Sequence, residues 1–134
     1  MIGHYLMFNG NCAEALATYQ KVFSGKLVEM QKYGDMPANP AFPVPDEKKN
    51  HVLHATLDIG GAQLMCADSS EPSKVGDNMF VTVTSKDAEL VKSAWTALLD
   101  GATVFMELQS TFFAAHHGSL RDKYGVNWMF TAMK

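Results

Sequence analysis

The feature that most constrains this chain is an order of elements that occurs twice. An apolar segment, His4 to Phe8, precedes a helical pattern over residues 12–23, and strand-like segments follow it. About 75 residues later the order returns: Met79 to Thr84 reads as a strand, a second helical pattern follows, and further strands close the chain. Ala13-Glu14 falls on Ala88-Glu89, and Met30 falls near Met106. That period is too long for a solenoid and fits a duplicated βαβββ module. One helix covers one face of a four-stranded sheet. The other face must be covered as well, and two such sheets curving toward each other would enclose a cavity. The expected fold is therefore α+β: two βαβββ modules forming curved mixed sheets around a cavity, with the helices on the outside. At 134 residues the chain suits a single domain, with module 1 over about 1–68 and module 2 over about 78–134.

Local signals support this order. Asn11 is placed to cap the first helix, with Glu14 three residues on as in a capping box. Leu16, Tyr19 and Phe23 recur at helical spacing, and Gly25 is placed to end the helix. Lys26 to Tyr33 reads as a strand. From His51 to Ile59 the pattern alternates, with Leu53, Ala55, Leu57 and Ile59 on one face and His54, Thr56 and Asp58 on the other. Gly60-Gly61 then turns the chain into Gln63–Ala67 as a hairpin. In the second half Ser85 can cap a helix, Asp87 and Glu89 favour its positive end, and Leu90, Val91, Ala94, Trp95 and Leu98 form its apolar side. Gly101 stops it. Thr103 to Gln109 alternates with Val104, Met106 and Leu108 on one face, leaving Glu107 opposite. Ser119–Lys123 and Val126–Ala132 form a last hairpin around Tyr124-Gly125. Asp68 to Asp77 is the linker between halves. Gly34 to Asn50 holds four of the five prolines and cannot be a ladder strand, so it reads as a solvated mobile loop or a substrate lid.

Composition excludes several classes. A net charge of -3 does not suit a nucleic-acid binder, which needs a basic patch. No apolar run of about 18 residues is long enough to span a membrane. The start, Met-Ile-Gly-His-Tyr, lacks a basic segment followed by an apolar one, so no secretory leader is expected. Cys12 and Cys66 match no metal or redox spacing and read as buried thiols in a reducing cytosol. A cytoplasmic protein is the expectation. There is no nucleophile elbow and no phosphate-binding glycine loop.

Four phrases carry a family resemblance: Tyr-Leu-Met-Phe-Asn-Gly-Asn-Cys-Ala-Glu-Ala-Leu at 5–16, Val-Leu-His-Ala-Thr-Leu-Asp-Ile-Gly-Gly at 52–61, Gln-Ser-Thr-Phe-Phe-Ala-Ala-His-His-Gly at 109–118 and Asp-Lys-Tyr-Gly-Val-Asn-Trp-Met at 122–129. Together they resemble the PhnB-like family of the glyoxalase/bleomycin-resistance (vicinal oxygen chelate) superfamily. The resemblance implies the paired βαβββ fold and commonly a homodimer. It also brings the label 3-demethylubiquinone-9 3-methyltransferase. A typical S-adenosylmethionine-dependent methyltransferase uses a doubly wound parallel sheet with a glycine-rich first turn. Here the adjacent pair Gly60-Gly61 sits in a hairpin instead. The superfamily also implies a divalent metal held by His, Glu or Gln from the first and last strands of each module, acting as a Lewis acid. Those places fall at His4, Met65, Asn78 or Met79, and Met129. Only His4 suits a hard metal, so the usual centre is expected to be absent and no cofactor is assigned.

The candidate ligand-binding residues are His4, Tyr5, His54, Met65, Asn78, Glu107, Phe112, Phe113 and Met129. His54 lies on a central strand and is either a satisfied, partly buried histidine or a general base. His51, three residues away, points to the opposite face. His116-His117 falls in a predicted turn, as exposed loop histidines or as a polar edge to a pocket. Glu107 is either an inward acid or a solvated one. Tyr5, Phe80, Phe112, Phe113 and Trp128, with Met65, Met79 and Met129, are core packing or the lining of an apolar cavity. His4, Asn78, Gln109 and Asn127 could orient a ligand there. Phe112-Phe113 replaces the family's commoner Phe-Trp pair and removes an indole donor. The reading is a small-molecule-binding protein with a partly apolar pocket and no usual metal centre, its catalytic residues unassigned. The alternatives are a metal-dependent lyase, isomerase or transferase-type enzyme, the methyltransferase of the label, or a structural dimer module with a filled core.

Overall fold

A computed structural model of the chain describes residues 2–134. They separate into two compact units, the chain passing from the first to the second between Ser73 and Lys74. The first contains β1 (His4–Phe8), α1 (Cys12–Phe23), β2 (Lys26–Lys32), β3 (Val52–Ile59) and β4 (Ala62–Asp68). Its strands lie in the order β1-β4-β3-β2, with β1 parallel to β4 and the other neighbours antiparallel. The second contains β5 (Val81–Ser85), α2 (Ala88–Leu98), β6 (Thr103–Gln109), β7 (His116–Arg121) and β8 (Asn127–Ala132). Its order, β5-β8-β7-β6, repeats the first topology strand for strand. The fold is α+β with two βαβββ modules, as the repeated order predicts. Among the described residues no helix is long and apolar enough to cross a membrane.

Each helix buries one stripe against one sheet face. α1 contributes Cys12, Ala15, Leu16 and Tyr19, while Phe8, Ala55, Leu57, Leu64 and Cys66 are buried on its sheet. α2 contributes Val91, Ala94, Trp95 and Leu98, and Leu120, Trp128, Phe130 and Ala132 are buried on the other. Trp95 meets Phe130 edge to face at 5.5 Å.

Several local expectations are corrected. Asn11 makes no side-chain cap, and its Oδ1 is buried without a hydrogen-bond partner. A carboxylate from the far end of β4 does the work instead. Asp68 Oδ1 accepts from the Gly10 and Cys12 N–H groups at 2.8 and 3.0 Å, and its Oδ2 accepts from Val52 N–H at 2.8 Å. A full negative charge at the helix start outcompetes a neutral amide. At α2, Asp87 rather than Ser85 caps, accepting from Glu89 and Leu90 N–H, while Ser85 Oγ accepts from Asp87 N–H. At the end of α1 the left-handed residue is Ser24, with φ 52°, not Gly25. Gly25 is needed for another reason: a Cβ there would lie 3.1 Å from Leu57 Cδ1 and 3.2 Å from the Asp58 carbonyl.

Strand limits shift too. β2 ends at Lys32, and Tyr33–Asp35 forms a 3-10 turn. β5 starts at Val81 rather than Met79, and β7 starts at His116, so the two adjacent histidines belong to a strand. β6 is irregular. Its register runs Val104↔Leu120, Met106↔Ser119 and Gln109↔His117, with extra residues between these pairs. Val104 and Met106 therefore lie on opposite faces, and the simple alternation breaks down at the bulges. Gly118 lies under them: a Cβ would come within 2.9 Å of the Leu108 backbone and the Met106 carbonyl.

The proline-rich stretch is tied at its base. Tyr33 N–H donates to the His51 carbonyl at 3.0 Å, and Gly34 N–H to the Lys49 carbonyl at 2.9 Å. Asp46–Lys48 forms a second 3-10 turn, and Lys48 Nζ donates to the Ser70 carbonyl. In the second unit, buried Asp122 closes the β7–β8 hairpin, accepting from Tyr124 and Val126 N–H and from Trp128 Nε1–H.

Asp68→Ala leaves three backbone donors without their acceptor and is expected to cost about 3–5 kcal/mol in chemical denaturation, whereas Asn11→Ala stays within about 0.5 kcal/mol. Similar losses at the two positions would mean that the local amide, not Asp68, starts the helix. Gly118→Ala should cost more than Gly61→Ala. Gly61 has open space around its missing Cβ and only its φ of 92° to strain.

Candidate functional site

The helix-free face of the first sheet carries a polar cluster. Ala55 and Leu57 are buried on the α1 side of β3, so His54 and Thr56 project the other way. In register, Tyr5 of β1 lies beside Met65 of β4, Met65 beside Thr56 of β3, and Thr56 beside Glu29 of β2. One row therefore crosses the whole sheet. Tyr5 Oη and His54 Nδ1 are 2.8 Å apart, and the two rings lie 5.6 Å apart at a tilt of 34°. His54 Nε2 is 3.3 Å from Thr56 Oγ1 and 3.9 Å from Glu29 Oε2.

Burial pushes the Tyr5 phenol above its ordinary range, with Cys66, Cys12 and Tyr33 adding in that order. A phenol that keeps its proton can donate to Nδ1 of a neutral imidazole, and in that tautomer Nε2–H faces Thr56 and Glu29. The thiols of Cys12 and Cys66 lie buried behind the sheet. Cys12 is raised by its hydrogen bond with Cys66 first and by burial second, and both cysteines are free and buried.

The helix-free face of the second sheet holds the row Thr82, Met129, Ser119 and Met106, and the row Thr84, Thr131, His117 and Gln109. His117 Nδ1 lies 3.0 Å from Thr131 Oγ1, and the Phe113 ring packs on its imidazole at 5.0 Å. Each unit thus presents one histidine, on the third strand of its module, with Nδ1 against a hydroxyl.

The structure brings Tyr5, His54 and Met65 together on one face of the first unit. On the second unit it places Met129 beside Ser119 and Phe113 against His117. Other predicted residues stand apart. His4 pairs with buried Leu64 and shares its face with Leu6 and Phe8, away from Tyr5. Asn78 precedes β5 and is exposed, Glu107 is exposed in the bulged part of β6, and Phe112 is 91% exposed. Thr56 and Glu29 were missed as members of the cluster. Thr56 has the same strand parity as His54 and could have been found from it. Glu29 could not, because a bulge between Leu27 and Glu29 resets the faces of β2.

The positions implied for the superfamily's metal do not fit one. Met65, Met79 and Met129 offer only thioethers, soft donors unsuited to a hard divalent ion. Within the first unit His4 and Met65 lie on opposite sheet faces. Among the described residues no group of three or more His, Cys, Asp or Glu side chains could hold an ion.

A family described as 3-demethylubiquinone-9 3-methyltransferase matches residues 1–131. Protein YjdN of Escherichia coli (strain K12) is 30% identical over 140 residues, covering 97% of this chain and 93% of that one. Protein PA1353 from Pseudomonas aeruginosa superposes with a TM-score of 0.84 at 31% identity, covering 98% of this chain and 97% of that one. A PhnB protein from Bacillus cereus gives a TM-score of 0.80 at 28% identity, with 97% of each chain covered. The fold extends to the fosfomycin resistance protein FosX of Listeria monocytogenes, at a TM-score of 0.67, 8% identity, and coverage of 100% of this chain and 92% of that one.

Ultraviolet titration should find Tyr5 ionising above the ordinary tyrosine range, near 10. The raised folded value favours the protonated phenol in the fold. Stability should therefore fall once the pH rises past about 10, where the unfolded chain ionises first. Tyr5→Phe should flatten that fall. Tyr33, raised by burial and then by Asp68, keeps a share of it.

Proposed function

Because this chain belongs to the 3-demethylubiquinone-9 3-methyltransferase family, in the PhnB-like branch of the vicinal oxygen chelate superfamily, we propose that it binds a small, partly apolar molecule without the superfamily's metal, and that the helix-free face of its first unit makes the contact. The observation that carries this reading is the 2.8 Å contact between Tyr5 and His54, set beside Met65 and Met7. Binding sites of this kind are mostly apolar and need few polar groups to orient a ligand. Thioethers supply adaptable apolar surface. The Tyr5–His54 pair supplies polarity of either sign. With His54 neutral, the phenol donates inward and its lone pairs accept from a ligand N–H or O–H. With His54 protonated, Nδ1–H donates to Tyr5, and the phenol proton is free for a ligand acceptor.

One observation favours a catalytic variant of the same reading: Glu29 lies 3.9 Å from Nε2, where it could orient His54 as a general base. Methyl transfer, suggested by the family's description, has less support. Neither sheet is the doubly wound parallel type that commonly holds the methyl donor. The proposal includes a homodimer in a reducing compartment such as the cytoplasm, the compartment being supported by the two free buried thiols.

Hydroquinone and indole, each an apolar ring with a polar hydrogen, are suitable probes for NMR of the His54 and Tyr5 side chains. Saturable shifts are expected, with affinity weakened about tenfold by Tyr5→Phe. Manganese, zinc and chelator should leave the melting temperature unchanged. A metal-dependent rise of several degrees would overturn the metal-free reading, and saturable binding of S-adenosylhomocysteine would turn the proposal toward methyl transfer.

A further inference from the structure

We propose that the second unit carries an anion site centred on Arg121, built for a small organic acid whose carboxylate or phosphonate is joined to a flat apolar group. This does not rest on the Tyr5–His54 cluster, which belongs to the first unit. Arg121 is the only arginine in the chain. Gly118 and Leu120 are buried on β7, so strand alternation sends His117, Ser119 and Arg121 to the helix-free face.

The guanidinium is held firmly, but by neutral groups alone. Nε donates to Asn127 Oδ1 at 2.9 Å, and one terminal nitrogen donates to the Gly76 carbonyl at 2.9 Å. Asn127 is fixed in turn, its Nδ2 donating to the Gly76 and Met79 carbonyls at 2.7 and 3.0 Å. The guanidinium carbon lies 5.3 Å from the centroid of the Phe105 ring. Among the described residues no carboxylate comes within ion-pair distance of Arg121; the lysine–carboxylate ion pairs belong to Lys49, Lys92 and Lys123.

A half-buried cation anchored by neutral groups and without a counter-ion keeps its charge available to an anion. Among the described residues two of the five N–H donors of the guanidinium are used, and the remaining donors match the two oxygens of an acid group. The neighbouring surface selects the rest of the ligand. Phe80 and Phe105 meet edge to face at 6.0 Å, and Phe105 stays 43% exposed. They form an aromatic wall beside the charge, on which a flat apolar group can pack. The site is preorganised, since the Asn127 amide and the 76–79 backbone fix the guanidinium before any ligand arrives.

The single arginine makes a direct test possible, because its Nε–Hε group gives one NMR signal. Wild-type protein would be titrated with benzoate and phenylphosphonate, with inorganic phosphate as charge without a ring, and with benzamide as a ring without charge. The expected result is a saturable shift with the two aromatic acids, a weaker one with phosphate and none with benzamide. Arg121→Lys, which keeps the charge but loses the fork, should weaken benzoate binding about tenfold, and Arg121→Gln should abolish it. No saturable shift for either acid at concentrations on the order of 10 mM, or equal shifts with benzamide, would overturn the proposal. Should the variants fail to fold, the wild-type titration decides alone.

Discussion

The first unit depends on one buried carboxylate. Asp68 stands at the end of β4 and is almost fully shielded from water, yet it accepts from backbone groups in the β1–α1 turn and at the start of β3. These segments are far apart in sequence, and Asp68 joins them. A charge buried this deeply is tolerable only when its oxygens are saturated with donors. The Asp68 carbonyl adds a further tie by accepting from the Tyr33 hydroxyl. Moving β4 by one residue would point the carboxylate toward the opposite face, so Asp68 fixes the register of the sheet as well as the start of the helix. That register in turn sets Tyr5 beside Met65 and Met65 beside Thr56.

Asp122 plays a more local part in the second unit, folding the β7–β8 hairpin onto the Trp128 indole. The helix-free faces then diverge in chemistry although the topology is the same. One presents a phenol and an imidazole that exchange a hydrogen bond. The other presents a cation set among rings and amides. Duplication supplies two equivalent scaffolds, and side chains at the outward positions of each strand are free to differ because the helix-side positions carry the packing.

Much of the fold was legible in sequence because it depends on local periodicity. The helical stripes of α1 and α2, the alternation around His54 and the Gly60-Gly61 turn, with φ of 58° and 92°, all follow from short-range rules. What was hidden is long-range or irregular. The cap of α1 comes from a residue 56 positions away, which no capping rule searches. The bulges in β2 and β6 change which residues share a face, and so hid Glu29 from the His54 cluster and misplaced Met106. His54 and Tyr5 were identifiable as candidates. Their contact was not, since strands β1 and β3 are not neighbours in the sheet.

Those bulges have a further consequence. β2 and β6 are edge strands, and an edge strand offers unpaired backbone groups to any other extended chain. Both are interrupted by irregular register. A regular ladder cannot be continued across such an edge without first removing the extra residues. That one edge of each sheet is thereby guarded against strand addition, the route by which exposed edges seed fibrils. Any lasting association between copies of the chain through β2 or β6 must then use side chains rather than a continued backbone ladder.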